Sequence, residues 1–490
     1  MQRRHGVTKK LTHLYVPANF DPEQVLPDSL KRHADVARYF LHRIIWGRVQ
    51  KRTTPDGFVP LKWDYLRPVI PDRVLKPLKQ ALIDADVIEC DGQYIEGHKS
   101  FGYRLGSPYR DAPFVRAVVA HAQTATRIQE NRRCEKKKIR LDVHRYLRRQ
   151  FQKLEIDREG ALAALAGHPN HQIVKIPVEQ IAAKDFSFSV CRYGRVHTDL
   201  TRAAKPVRRS LHVGGEPLVS VDITNSQPLF FALLLINFRI HGNKTHSLIS
   251  YDTAINNQYD RIDRILSSFI TRTTTANNTH EQHNSTSLPQ HTITHHHTTV
   301  HSITTRKSAL EFAQVTATSG VAHELRLSRS ADCLKEDERR FVVLCETGRL
   351  YEELMVITDT PVRKWVKEGF FEILFGRNAA NSDFKRAFTE AFPSVADVAR
   401  RHKRKDHSFL ARLLQNYEST FIINRVCRRL MHEHPTAPIF TIHDSVLTIP
   451  AYQDSVVSVI REEFAKLGLS PSLHVEQYGS PRRNRENDAG

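Results

Sequence analysis

The sequence predicts an α+β protein of two or three domains, since its 490 residues exceed the size of one ordinary domain. Three features predict this class: short β-branched runs that end at acidic turns, apolar residues at helical spacing, and an amino-terminal helix followed by a hairpin pattern. No run approaches the roughly twenty apolar residues of a membrane span. The six cysteines lack C-x2-C spacing, which is typical of reduced thiols. We therefore expect a cytoplasmic protein with no membrane partner.

Residues 1–110 are predicted to form a winged-helix-like domain. Pro71–Asp84 places apolar side chains at helical spacing, and β-rich runs lie on both sides of the Asp91–Gly92 turn. His98 and Lys99 give this hairpin a basic tip. A helix followed by such a hairpin is the order found in winged helices. That arrangement serves DNA binding or protein contact, and the sequence leaves both interpretations open.

Residues 111–190 are predicted to form a basic helical region. The whole chain has 73 Lys and Arg against 53 Asp and Glu, a net charge of +20 that favours a polyanionic partner. From Arg127 to Lys153, eleven cations, among them Lys136, Lys137 and Lys138, outnumber three acids. A partly apolar face in this segment predicts one or two helices that follow a phosphate backbone. A solvated charged helix is the alternative.

Ile439–Pro450 contains two short apolar runs that meet at a His443-Asp444-Ser445 corner. This pattern predicts a strand–turn–strand hairpin. A carboxylate at the tip of such a hairpin is well placed to hold a divalent metal ion. A buried structural turn would have the same pattern, so both interpretations stay open for this segment.

A second acid far upstream has a similar setting. Leu218–Asp222 alternates as a strand and ends on its aspartate, and the apolar run after Pro228 predicts a buried helix capped by Asn225 or Ser226. A carboxylate at the end of a strand, just before a buried helix, would face a cleft. A cap or turn residue is the alternative.

Between these acids, four side chains recur at steps of four. Arg363, Lys367, Phe371 and Phe375 would therefore lie along one face of a helix. Two cations suit the phosphates of a nucleoside triphosphate, and two rings suit stacking on a base. An amphipathic surface helix with a basic end is the alternative.

The order and spacing of these segments resemble those of the family A polymerases, the group of DNA polymerase I and the phage single-subunit RNA polymerases. Asp222 matches motif A, Arg363 to Gly376 match motif B, and His443-Asp444 matches motif C. A fourth match, Gly194-Arg195, is similar to the segment of that family that touches the primer-template. The resemblance covers roughly residues 190–480.

This resemblance implies a right-hand architecture with a palm sheet, helical fingers and a helical thumb. The thumb would be residues 111–190, and palm and fingers would be residues 191–490. A Thr/His/Asn-rich stretch at about 241–306 cannot bury a core and is predicted to be a disordered insertion. No carboxylate pattern of an exonuclease precedes residue 190, so proofreading is not expected.

The resemblance also implies roles for single residues. Asp222 and Asp444 would bind two Mg²⁺ ions and, with Lys367, form the catalytic set. The implied nucleotide-binding residues are Arg363, Lys367, Phe371 and Phe375. The predicted nucleic-acid contacts are Arg195, His443, Gln415, Lys136, Lys137 and Lys138. The expected partners are a primed DNA template and nucleoside triphosphates.

The sequence departs from the family pattern in motif A. Three residues separate Asp222 from Ser226, and Leu229 stands where DNA polymerases carry a glutamate that excludes ribose. Phe375 stands where tyrosine is usual. We expect a DNA-directed DNA polymerase without proofreading. A non-catalytic nucleic-acid-binding or replication-initiation protein with a degenerate palm, or an RNA polymerase, is the alternative.

Overall fold

The computed structural model describes residues 11–137, 139, 141–241 and 333–479. The chain divides into two compact units, described below as the first and second unit. The first contains the described parts of Met1–Ser189, His197–Pro217 and Tyr478–Gly490, and the second contains those of Val190–Val196 and Leu218–Gln477. Both mix helices with small antiparallel sheets, which confirms a mixed α and β fold.

Two predictions from the sequence are not decided by this division. The predicted insertion at 241–306 lies outside the described residues except for His241, which ends a helix. The three predicted regions 1–110, 111–190 and 191–490 stay predictions. Among the described helices, none is long and apolar enough to cross a membrane.

The first unit is built from short helices and strands. Its helices are Pro22–Val25, Asp28–Lys31, Ala34–Val49, Trp63–Leu66, Asp72–Asp84, Ser107–Arg110, Ala122–Lys137, Asp142–Gln150, Arg158–Ala163, His171–Ala182 and Asp199–Arg202, with 3-10 turns at Phe151–Lys153 and Lys205–Ser210. Its strands are His13–Pro17, Val59–Pro60, Ile88–Cys90, Gly102–Leu105, Phe114–Val118, Glu155–Ile156, Leu211–Val213 and Glu216–Pro217. Two further strands, Phe188–Val190 and Val196–Thr198, lie where the chain passes between units.

The amino-terminal part of the first unit has the helix and hairpin that the sequence predicts. The predicted helix is Asp72–Asp84, and its apolar residues Val74, Leu75, Leu78 and Leu82 are buried. Gly102–Leu105 pairs with Ile88–Cys90 on one side and with Val59–Pro60 on the other. The Asp91 carboxylate accepts hydrogen bonds from the backbone N–H groups of Gln93 (3.1 Å) and Gly102 (2.9 Å) and so fixes the base of the hairpin.

The predicted basic region contains two helices, Ala122–Lys137 and Asp142–Gln150. In the second of these, Val143, Tyr146 and Leu147 are buried, while Arg149 is exposed. The helix therefore packs by its apolar face and turns part of its charge outward. Lys136 and Lys137 end the first helix, and Lys138 lies outside the described residues.

The second unit is mainly helical. Its α-helices are Ser226–His241, Glu336–Glu346, Leu350–Ile357, Arg363–Phe375, Asp383–Ala391, Pro393–His402, Phe409–Ser419, Arg428–Glu433 and Gln453–Ala465. A π-helix, Thr420–Cys427, joins Phe409–Ser419 to Arg428–Glu433, and a 3-10 turn covers Pro450–Tyr452. We call the continuous segment Phe409–Glu433 the bulged helix.

One antiparallel sheet organises the second unit, and we call it the central sheet. Its strands, in spatial order, are Phe440–Ile442, Ser445–Thr448, Val219–Ile223 and Leu473–Gln477. The first two form the hairpin that the sequence predicts, with a turn of two residues between them. The third is the predicted strand, extended by Ile223 beyond the expected end at Asp222.

The helix Ser226–His241 follows the strand Val219–Ile223 of the central sheet. It is buried along most of its length, as its apolar sequence predicts. Phe230 lies 5.8 Å from the Phe421 ring of the bulged helix. Phe231, on another side, lies 5.8 Å from the ring of Phe341. The helix therefore joins the sheet to two groups of helices, and a shift of this helix would disturb both.

An ion pair links the helices Ser226–His241 and Glu336–Glu346, which flank residues 242–332 in the chain. Arg239 Nε lies 2.9 Å and 3.0 Å from the two carboxylate oxygens of Glu338, whose side chain is fully buried. A buried charge loses its hydrogen bonds to water. A charged partner replaces them, whereas an unpaired buried charge has no such replacement. The pair therefore joins these two helices directly.

Asp199 is a fully buried acid in the first unit. Its carboxylate accepts hydrogen bonds from the Ser187 N–H (2.7 Å) and Oγ (2.6 Å) and pairs with Arg202 at 3.4 Å. Burial is the largest influence and raises the pKa of Asp199 to about 6, against the opposing effect of Arg202. The folded state therefore holds a proton there at pH values where an unfolded chain has released it.

Replacing Asp199 by Asn should remove one pH-dependent part of stability. Because the pKa is raised on folding, this contribution is complete below about pH 4 and is lost as pH rises through about 6. Urea titrations between about pH 4 and 7 measure the free energy of unfolding, and it should fall more with pH in wild type than in D199N. D64N, at an exposed site, should keep the wild-type trend. Equal trends in wild type and D199N would contradict this.

Candidate active site

The central sheet brings Asp222 and Asp444 together, and we call them the acidic pair. Asp222 stands opposite Ser445 in the antiparallel register, and Asp444 directly precedes Ser445 in the chain. The Ser445 hydroxyl donates to the Asp222 carboxylate, which also accepts from Ser220 Oγ at 3.3 Å. Residues paired across antiparallel strands lie about 5 Å apart. The two aspartates therefore share one end of one sheet.

Unusual backbone conformations accompany both aspartates. His443, the first residue of the hairpin turn, has φ 55°, and Asn225, at the start of the helix after Asp222, has φ 53°. Asparagine enters this left-handed region more readily than most residues, whereas a turn position of this kind usually takes glycine. Strained backbone of this kind costs about 1–3 kcal/mol and concentrates at functional sites. Asp444 is the second residue of the hairpin turn, so the conformation of His443 determines the direction in which the chain reaches it.

The acidic pair is electrostatically unfavourable by itself. Burial, as the largest cause, and the charge of Asp222 both raise the pKa of Asp444, while the Ser226 hydroxyl and Arg195 oppose the rise. Two neighbouring carboxylates repel each other, and a divalent cation would remove that repulsion. The donor set suits Mg²⁺, which commonly takes one or two protein carboxylates and completes its shell with water and substrate phosphates.

A third carboxylate, Glu418, lies beside the acidic pair and was not among the predicted site residues. It is buried in the bulged helix and pairs with Arg195, whose Nε and one Nη lie 2.9 Å and 2.7 Å from its Oε1. Its Oε2 accepts from the Gln227 amide and from Ser226 Oγ at 3.5 Å. Burial first, and then the charge of Asp444, raise the pKa of Glu418 to about 7.

Glu418 had one signal in the sequence. It follows Leu413, Leu414 and Tyr417 in an apolar helical stretch, and an acid at such a position is rarely buried without a partner. Its partner comes from more than two hundred residues away along the chain, so local periodicity does not name it.

The structure places Arg195 in contact with Glu418, and Gln415 lies nearby in the same helix as Glu418. Arg195 was predicted to touch a primer-template, and here its guanidinium is bound to Glu418 with about a fifth of its side chain exposed. Gln415 is half-buried and lies one helical turn before Glu418. His443 is exposed at the hairpin tip. Their predicted contacts with nucleic acid stay predictions.

The predicted helix with cations and rings is present as Arg363–Phe375, which we call the basic–aromatic helix. Arg363 and Lys367 are exposed, and Phe371 and Phe375 are half-buried. The residues on the packed side of this helix are Val366, Phe370, Ile373 and Leu374. The four predicted residues therefore share the outer side, and the helix packs against the bulged helix.

Contacts along the outer side connect three of these residues, Lys367, Phe371 and Phe375, and the fourth, Arg363, pairs with a neighbouring helix. Arg363 Nε lies 2.8 Å from Glu352, with both side chains about half exposed. The Lys367 ammonium lies 5.6 Å from the centroid of the Phe371 ring, and the Phe371 and Phe375 centroids are 5.3 Å apart. These contacts align two charges and two rings along one edge.

A buried lysine holds the end of the basic–aromatic helix. Lys403 Nζ donates to the backbone carbonyls of Ile373 (2.6 Å) and Gly376 (3.0 Å), which lack partners at a helix carboxyl terminus. A Cβ at Gly376 would lie 2.6 Å from the Glu372 carbonyl oxygen, so only glycine fits there. These features fix the position of Phe375.

The comparisons with known proteins give no family. No protein-family model matches the chain, and no curated protein matches it. Among solved structures, the chain is similar to the POL domain of Pol1 from M. smegmatis in complex with DNA primer-template and dNTP, at 14% identity and a TM-score of 0.22. That similarity covers 66% of this chain and 55% of the other.

Replacing Lys403 by Met should destabilise the protein, because it leaves two carbonyls of the basic–aromatic helix without a donor. An unsatisfied buried acceptor costs about 1–3 kcal/mol. Chemical denaturation should show a loss of that size for K403M. Lys405, which is exposed, is the matched control, and K405M should change stability by less than about 0.5 kcal/mol. Equal stability of the two variants would contradict the role of Lys403.

Proposed function

We propose that this chain is a template-directed nucleotidyltransferase, and specifically a DNA-directed DNA polymerase without proofreading. The acidic pair carries the proposal, because Asp222 and Asp444 are far apart in sequence and stand at neighbouring strand ends of one sheet. Paired carboxylates of this kind hold the metal ions used for in-line displacement at phosphorus. The order of the four sequence motifs around the pair adds support.

Asp222 and Asp444 would hold two Mg²⁺ ions, which when bound would act as Lewis acids toward the primer 3′-hydroxyl and the pyrophosphate leaving group. Ser445 and Ser220 donate to Asp222 and so orient its carboxylate. The left-handed backbone conformation of His443 orients Asp444. Preorganised ligands of this kind lower the reorganisation that the reaction requires.

The basic–aromatic helix would bind the nucleoside triphosphate. Lys367 and Arg363 would neutralise phosphate charge, as cations do in other phosphoryl-transfer sites. Phe371 would stack on the incoming base, and Phe375 would lie at the templating position. Glu352 now pairs with Arg363 on the surface, and such an exposed pair is weak enough for a phosphate to displace it.

The larger architecture follows from the same proposal. The central sheet would be the palm, the helices around the basic–aromatic helix the fingers, and the basic helices of the first unit the thumb. The strand and helix order between residues 34 and 105 would make a winged-helix-like domain. Arg195, Gln415, His443 and Lys136 to Lys138 would contact the primed template.

A second candidate is a nucleic-acid-binding or replication-initiation protein with no catalysis. It is favoured by the helix–strand–helix–helix–strand–strand order of residues 34–105 and by the two basic helices, since binding needs nothing more. Retention of both aspartates with Lys367 favours catalysis, because binding alone does not require them. An RNA polymerase is a further candidate, and it would accept ribonucleotides in place of deoxyribonucleotides.

Primer extension with Mg²⁺ tests the chemistry. D444N keeps the shape of the side chain but removes the charge that holds metal, so incorporation should fall by several orders of magnitude while primer-template affinity stays nearly unchanged. K367A should instead raise the KM for nucleotide, because triphosphate contacts are lost. Parallel reactions with dNTPs and NTPs decide the sugar.

D454N is the matched control for this experiment, since Asp454 is exposed on the helix Gln453–Ala465 of the same unit. It should incorporate nucleotides at the wild-type rate. If wild type incorporates neither dNTPs nor NTPs on any primed template with Mg²⁺ or Mn²⁺, the binding protein becomes the better account.

Nucleic-acid affinity tests the basic region. Replacing Lys136, Lys137 and Lys138 by Ala should flatten the slope of log K against log salt by roughly two to three units. The variant makes fewer phosphate contacts, so its binding releases fewer counterions from the nucleic acid. The control replaces Lys31, Lys364 and Lys466, which lie near Asp28, Glu368 and Glu463. It makes the same charge change and should leave the slope nearly unaltered. Equal slopes for wild type and the first variant would show that these lysines do not meet phosphates.

A further inference from the structure

We propose that Glu418 is a positioning residue that holds Arg195 and the first turn of the helix Ser226–His241 in place beside the acidic pair. This role rests on the proposed function, and it concerns the same site. We call Glu418, Arg195, Gln227 and Ser226 the Glu418 network. The network joins three segments that are distant in sequence, and each segment borders Asp222 or Asp444.

The first link is the ion pair of Glu418 and Arg195. Two N–H groups of the guanidinium, Nε and one Nη, lie 2.9 Å and 2.7 Å from Glu418 Oε1. Contacts from both nitrogens fix the plane of a guanidinium, which a single contact would not. About a fifth of the Arg195 side chain stays exposed, so part of the group still faces solvent. Arg195 also lies close enough to Asp444 to oppose the rise of its pKa.

The second link runs to the helix after Asp222. The Gln227 amide and the Ser226 hydroxyl donate to Glu418 Oε2, the latter at 3.5 Å. The Ser226 hydroxyl also interacts with Asp444. Asn225, with its positive φ, immediately precedes them. The network therefore determines where the chain turns between the Asp222 strand and its helix.

The third link is in the bulged helix itself. Ser419, next to Glu418, donates from Oγ to the backbone carbonyl of Tyr193, two residues before Arg195. The π-helix Thr420–Cys427 begins one residue later. π-Helical insertions are rare and frequently occur at functional sites, because they redirect a side chain at a local cost in hydrogen bonding. Glu418 and Ser419 thus hold the Tyr193–Arg195 turn at two points.

The contacts of Glu418 are those of a positioning group, because they join separate segments of the chain. Both its oxygens already accept hydrogen bonds, from Arg195 on one and from Gln227 and Ser226 on the other. A carboxylate is required at this position. The side-chain amide of a glutamine would place an N–H donor against the donors of Arg195 or of Gln227 and Ser226.

The test measures hydrogen exchange and incorporation in E418Q, R195Q and the double variant of the full chain. Exchange should rise in Tyr193–Val196 and in Ser226–Gln227 for every variant. Each single variant should lower the incorporation rate about 10- to 100-fold, as loss of supporting partners does elsewhere. The double variant should be no slower than the worse single variant, since both remove one interaction. Multiplicative effects, or an unchanged rate in E418Q, would overturn the proposal.

Two further variants distinguish a positioning role of Glu418 from a general effect on stability. E463Q is the matched control, because Glu463 is also buried and pairs with Arg425 at 3.7 Å in the same unit. It should leave exchange at Tyr193–Val196 and the incorporation rate unchanged. R195K keeps the charge without the planar group and should behave as E418Q does, which covers the case that E418Q fails to fold.

Failure of the proposed function is distinguishable from failure of this inference. If wild type incorporates no nucleotide, the proposed function falls, while increased exchange in both segments of E418Q still supports the positioning role. If exchange rises in neither segment in both E418Q and R195K, the positioning role is overturned whatever the activity.

Discussion

The antiparallel register between Val219–Ile223 and Ser445–Thr448 is the constraint on which the site depends. It places Asp222 opposite Ser445 and therefore beside Asp444. A slip of one residue would turn Asp222 to the other face of the sheet. The buried side chains of Val219, Val221 and Ile223 resist that slip, because it would move them to the face that carries Ser220 and Asp222. The packing of apolar side chains thus determines where two like charges meet.

Holding these charges together requires compensating groups, and the second unit supplies them from distant segments. Arg195 arrives from the turn Cys191–Arg195, and Ser226 arrives from the helix that follows Asp222. Glu418 connects both. Because a buried charge without partners is strongly destabilising, the network and the acidic pair depend on each other. One arginine does not neutralise the negative charge of three carboxylates, and a bound cation would neutralise the remainder.

Local pattern predicted the hairpin at His443–Asp444, the strand that carries Asp222 and the helix Arg363–Phe375, because periodicity and turn residues determine such elements. Local pattern did not predict which residues make long-range contacts. Glu418 meets Arg195 across more than two hundred residues, and Lys403 caps a helix that ends at Phe375. The π-helix at Thr420–Cys427 has no pattern of its own, since its sequence is typical of an ordinary buried helix. These features come from tertiary packing, which spacing along the chain does not encode.

In the proposed function, Asp222 and Asp444 together form one site that holds two divalent cations. Anomalous diffraction from crystals of the full chain soaked in Mn²⁺, with primer-template and a non-hydrolysable nucleotide, measures this directly. The account predicts anomalous density bonded to carboxylate oxygens of both Asp222 and Asp444, and its loss in crystals of D444N. Two aspartates that stay beside each other with no density between them, while Mn²⁺ occupies other sites on the protein, would contradict it.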